Sequence, residues 1–92
     1  MNENYSHNRK KIRDRNREYV RNIKESNPCK DCGKKYHYSQ MDFDHLNNKK
    51  QTIARLASSE ASIKTIKQEI AKCELLCSNC HRMRTWMRTQ ES

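Results

Sequence analysis

Residues 29–33 read CKDCG and residues 72–85 read KCELLCSNCHRMRT. These two stretches hold two Cys-x-x-Cys pairs, Cys29/Cys32 and Cys77/Cys80, and four thiolates are the complement of a tetrahedral structural zinc site. Zn²⁺ is therefore the expected structural cofactor. Two disulfides or a redox dithiol are the alternatives; a cytosolic setting and the absence of a repeated strand-helix pattern speak against both. Cys73 is left over, and because the 77/80 pair already has knuckle spacing it is expected to be a small buried hydrophobe rather than a ligand. Between the pairs lie residues 33 to 76, a 44-residue insert much longer than that of a plain zinc ribbon, so the working part is expected inside it.

The composition explains why a staple is needed. A 92-residue chain with 33% hydrophobic residues can bury only a small core, and chains of this kind usually add disulfides or a metal. The chain opens MNENYSHNRKKIRDRN, which has no apolar run like that of a signal peptide, and no stretch is long enough to span a membrane. A reducing cytoplasm is the expected setting. A net charge of +9 implies a polyanionic partner, and DNA fits better than a membrane surface because no strongly amphipathic apolar face accompanies the charge.

Residues 1 to about 8 are polar and expected to fray. From Arg9 to about Ser26 there is no Gly or Pro, and Ile12, Tyr19, Val20 and Ile23 recur near one stripe, which predicts a helix. Its other faces are basic, with Arg9, Lys10, Lys11, Arg13, Arg15, Arg17, Arg21 and Lys24, and these cations are expected to hold the phosphate backbone of the nucleic acid. Asn27-Pro28 ends it and divides the chain into a basic N-terminal helix, 1–27, and a zinc-containing domain, 28–92. Lys34 to His45 reads as one or two short strands, Asn47 to Lys50 as a loop, and residues around Ile53–Ala57 and Ile63–Ile70 as two short helices, the second capped by Ser62. Glu74-Leu75-Leu76 is a short apolar approach to Cys77. Ser78 to about Thr89 is expected to be helical with Cys80, Met83 and Met87 inward and Trp86 in the core. His7 and His37 read as surface residues, and Tyr36 and Tyr38 as half-buried packing.

Inside the insert sits MDFDH, residues 41–45, and His81 follows the last cysteine directly. A carboxylate beside a histidine can serve two roles, Asp44 holding a hard divalent cation and His45 taking a proton from water. Strand alternation puts Asp42 and Asp44 on one face, Phe43 and His45 on the other, so Asp44 and His45 converge only where the strand ends. His81 is fixed by its clamped neighbour Cys80. Arg84 and Arg88 lie three and seven residues beyond it, so one helical face presents a metal ligand followed by phosphate-binding arginines.

In CKDCG, MDFDH and KCELLCSNCHRMRT the sequence resembles the HNH, or ββα-metal, endonuclease family, from Pro28 to Trp86. It looks closest to small phage-type members with a four-cysteine zinc, and it shares its ligand order with the endonuclease VII type of junction resolvase. The resemblance implies a small α+β, zinc-stapled ββα-metal domain behind a basic helix, in a bacterium or a phage-infected host cell. It further implies a catalytic Mg²⁺ or Mn²⁺ on Asp44 and His81, His45 as general base, and cleavage of DNA to a 5′ phosphate and a 3′ hydroxyl. The family's middle asparagine position falls near Lys72; Asn47, Asn48 and Asn79 are the asparagines available. Two other functions fit charge and zinc: a non-catalytic zinc-ribbon nucleic-acid-binding module, and an adaptor whose N-terminal helix docks a larger partner. A homodimer is left open.

Overall fold

The computed structural model describes residues 3–91, with side chains from 8 to 90. The elements are α1 (Glu3–Ser26), a 3-10 turn (Tyr38–Gln40), β1 (Met41–His45), α2 (Ile53–Ala57), α3 (Ile63–Ile70), β2 (Cys73–Cys77) and α4 (Ser78–Glu91), a small α+β arrangement. None of these helices is long and apolar enough to cross a membrane. His7 lies outside the described side chains.

β1 and β2 pair antiparallel, with Met41 opposite Cys77, Asp44 opposite Glu74 and His45 opposite Cys73. Opposed residues share a face, so Asp42, Asp44 and Glu74 point to one side and Phe43, His45 and Cys73 to the other. α4 covers the first face, and α1, α2 and α3 gather on the second. Thr52 caps α2 by accepting from Arg55 N–H at 3.1 Å, and Ser62 caps α3 by accepting from Thr65 N–H at 3.1 Å, as its place before the apolar repeat predicts.

Two small cores result. Val20 of α1 packs with Ile53, Leu56, Ala57 and Ile66, joined by the partly buried Phe43 and Cys73. Met41 and Leu76 pack with the sulfurs of Cys29 and Cys77. Each fully buried aliphatic side chain contributes about 2 kcal/mol, so two clusters of four or five residues leave a thin margin that a metal staple would widen. At the centre of the α1 stripe stands a polar residue, Asn16, with 0% exposure. Its amide donates to the carbonyls of Ser59 at 3.0 Å and Ala61 at 2.8 Å and accepts from Arg15, tying α1 to the α2–α3 turn.

Several expectations need correction. The first helix begins at Glu3, ahead of Arg9, so residues 3 to 8 are helical rather than frayed. Only Met41–His45 of the Lys34–His45 segment is a strand; a 3-10 turn precedes it, and Tyr36 and Tyr38 are half-buried outside any strand. In α4, Met83, Met87 and Trp86 are exposed, Trp86 at 58%. The reason is that the stripe Cys80, Arg84, Arg88 faces the sheet, where it meets sulfur and carboxylates rather than an apolar surface.

Asn16→Ala is expected to destabilise the zinc-loaded protein by about 2 kcal/mol, because two buried carbonyls lose their donor. Urea denaturation checks it, and exposed Lys64→Ala should shift stability by less than about 0.5 kcal/mol.

Candidate metal centre and histidine cleft

The Sγ atoms of Cys29, Cys32, Cys77 and Cys80 lie within 4.8 Å of one another. A tetrahedral ion with Zn–S bonds of about 2.3 Å sets its sulfurs about 3.8 Å apart, so the four residues fit zinc. Each pair has a knuckle's local geometry: Cys32 N–H points to Cys29 Sγ and Cys80 N–H to Cys77 Sγ, both at 3.5 Å. Gly33 closes the first knuckle at φ +76, donating to the Cys29 carbonyl at 2.9 Å, and Lys30 N–H reaches the Leu75 carbonyl of β2 at 2.8 Å. Burial opposes ionisation of Cys29, but amide groups of Cys32, Cys77 and Asp31 outweigh it and bring the thiol down to about 6. Cys80 is pushed up to about 12 by its hydrogen bond to Cys77 and by burial. Four crowded thiolates need a cation to ionise together. Cys73 stands apart from the cluster; burial raises its thiol to about 11, which keeps it protonated beside the Glu69 carbonyl.

On the second face of β1, His45 Nε2 lies 2.9 Å from Glu69 Oε2. Glu69 is 5% exposed, and its carboxylate also accepts from Lys50 N–H at 3.1 Å and from Lys72 Nζ at 3.0 Å. The Lys50 amide, with Lys72 and His45, outweighs the cost of burial and lowers its pKa to about 2. An ionised carboxylate only accepts, so Nε2 is the nitrogen of His45 that donates to Glu69. Among the described residues no asparagine takes this position: Asn48 uses its backbone carbonyl to hold Lys72 Nζ at 3.0 Å, and Asn47 and Asn79 are exposed. Sequence reasoning did not single out Glu69, whose partners His45 and Lys50 lie far from it in the chain. The available signal was its place three residues after Ile66, at the border of the buried stripe.

On the first face, His81 Nδ1 lies 3.0 Å from Asp42 Oδ2, and Nε2 lies 3.7 Å from Asp44 Oδ1. Asp42 thus orients His81 and leaves Nε2 turned toward Asp44. Asp44 is 5% exposed, and its carboxylate is gripped by Arg88 at 3.1 and 2.6 Å, with Arg84 at 3.4 Å. Hydrogen bonding by Arg88, against the cost of burial, holds its pKa below the usual carboxylate range. Arg84 is committed further, to both oxygens of Asp31 at 2.6 and 2.8 Å and to Glu74 at 2.7 Å.

A cleft of about 320 Å³ brings the two faces together at the end of β1; Lys24, Asp42, His45, Lys49 and His81 line it. Asp44 lies beneath, on the His81 side. The expected phosphate-binding cations are dispersed: Arg9 and Arg13 pair with Glu60 at 3.4 and 3.5 Å, Arg17 pairs with Asp14 at 3.3 Å, and Lys10 and Lys11 are exposed. Arg21 stacks 4.7 Å from the centroid of the Tyr38 ring. His37 is on the surface, bonded to Ser39.

The purified chain should bind one zinc, seen by native mass spectrometry. Cys29→Ser or Cys77→Ser should abolish tight binding and most helical circular dichroism, whereas Cys73→Ala should keep the metal; a metal-free folded wild type would overturn the assignment. Comparison with protein-family models, curated proteins and solved structures finds no match to this chain.

Proposed function

We propose that this chain is a metal-dependent endonuclease of the HNH kind that hydrolyses DNA phosphodiester bonds. The observation that carries the reading is the paired arrangement of histidines at one cleft: His45 held through Nε2 by Glu69, and His81 held through Nδ1 by Asp42, each with its other nitrogen left for chemistry.

Asp44 and His81 are the residues that would hold a hard divalent ion. Mg²⁺ typically takes one or two protein ligands and completes its shell with water and substrate phosphate, so a two-residue site suits it. Bound there, Mg²⁺ or Mn²⁺ would supply a Lewis acid for the scissile phosphate and the departing oxygen. Arg88 must leave Asp44 for that, and its guanidinium then becomes available to a phosphate oxygen.

His45 acts as the general base. Its Nδ1 takes a proton from water as the water oxygen bonds to phosphorus; the bond from phosphorus to the 3′ oxygen breaks, and that oxygen is protonated from solvent. Glu69, ionised and fixed by Lys50 and Lys72, stabilises the imidazolium that forms. Lys24 and Lys49 flank the cleft and offset phosphate charge.

The second reading is a zinc-stabilised nucleic-acid-binding module without catalysis. The Asp44–Arg88 ion pair favours it, because that contact alone accounts for a buried carboxylate. A supercoiled-plasmid nicking assay separates the two. Wild type should nick only with Mg²⁺ or Mn²⁺; His45→Ala, Asp44→Ala and His81→Ala should lose nearly all activity while keeping zinc. Glu69→Gln, which removes the charge behind His45, should lower the rate about 10- to 100-fold with DNA affinity unchanged. Nicking by His45→Ala at the wild-type rate would leave the binding module as the better account.

A further inference from the structure

The cleft at His45 and His81 does not end there. It shares Asp42 and His81 with a hollow on α4 that includes Arg82 and Thr85, and it shares Lys24 and Ala54 with a hollow along α1 that includes Arg17, Arg21 and Tyr38. The three hollows form one furrow, with the histidines in the middle and cations at both ends. We infer that the α1 arm of this furrow is a binding subsite for the sugar-phosphate backbone of one DNA strand, leading away from the cleft and held by Arg21 and Lys24.

The basic residues of α1 differ in their surroundings. Away from the furrow, Arg9 and Arg13 are tied to Glu60, Arg15 bonds Asn16 and the Ala61 carbonyl, and Lys10 and Lys11 are exposed. Arg17 lines the far end of the furrow and pairs with Asp14. Within the furrow, Arg21 and Lys24 make no salt bridge among the described residues; Arg21 is braced on the Tyr38 ring, and Lys24 lies 5.7 Å over the Phe43 ring. Arg21 sits four residues after Arg17 and Lys24 three after Arg21, which spaces them about 6 and 4.5 Å along the helix axis. That is the scale of charge spacing on a nucleic acid, about 3.4 Å per strand along a duplex. In the cleft itself the Asp42 carboxylate stands beside His81, so the flanking cations are what can hold a strand before an ion arrives.

This inference rests on the nuclease reading only for what the cleft does, and binding tests it separately. Zinc-loaded protein is titrated into a fluorescein-labelled DNA duplex, and into one of its single strands, over a range of salt without Mg²⁺ or Mn²⁺, with anisotropy as readout. Arg21→Gln/Lys24→Gln should reduce the magnitude of the slope of log affinity against log salt by about 1.5 units, since each lost contact removes about 0.7–0.9. Lys64→Gln/Lys67→Gln removes the same charge from exposed α3 positions and should leave the slope as in wild type. Single Arg21→Gln, outside both cores, should give about half the change and guards against misfolding, which thermal melting also reports. A wild-type slope in the furrow double variant, an equal loss in the α3 variant, or no DNA binding by wild type overturns the subsite. A wild type that binds through the furrow but never nicks keeps the subsite and removes the nuclease.

Discussion

Four sulfur atoms, two from the turn after α1 and two from the β2–α4 junction, are drawn within 4.8 Å of one another, and the positions of the other functional groups follow from that closure. It fixes Lys30 against β2, so the knuckle becomes an extension of the sheet. It fixes Cys80 at the start of α4, and with it the direction in which His81 and Arg84 project. Zinc bound there would contribute folding free energy directly, which a chain with two cores of a few residues each requires. Arg84 completes the brace, bonding Asp31 of the knuckle, Glu74 of β2 and Asp44 of β1 with one guanidinium.

A two-stranded sheet has only two faces, and here they are used for different chemistry. Asp42 and Asp44 look toward α4 and meet His81 and two arginines. His45 looks toward α3 and meets Glu69. Adjacent residues on a strand normally work apart; the short length of β1 lets His45, its last residue, reach the same cleft as His81. The loop that follows is pinned by Glu69 and Lys72, which hold Lys50 N–H and the Asn48 carbonyl.

Much of this could be read from residues alone. Cysteine spacing predicted the four-sulfur cluster, because ligand spacing is a local constraint that tertiary packing does not override. Ser62 before an apolar repeat located α3, and strand alternation put Asp42 and Asp44 on one face, which the structure turns toward α4. What failed was inference about partners. Met83, Trp86 and Met87 read as core because they are large and apolar, but α4 meets the sheet through sulfur and ion pairs, which hydropathy does not register. Glu69 drew no notice in the sequence because its partners, a loop amide and His45, are 19 and 24 residues distant. The carboxylate partners of Arg84 and Arg88, Asp31 and Asp44, come from other elements and were equally out of reach of a local reading.

The outward turn of α4 has an optical consequence. Trp86 is the only tryptophan and stands 58% exposed beside Asn79, Arg82 and Met83. Such exposure predicts the emission of an indole in contact with water already in the folded chain, with little change on unfolding, so fluorescence should be a poor gauge of whether this protein is folded. The same indole is well placed to report occupancy: whatever covers the outer side of α4 excludes water from the ring and moves its emission to shorter wavelength.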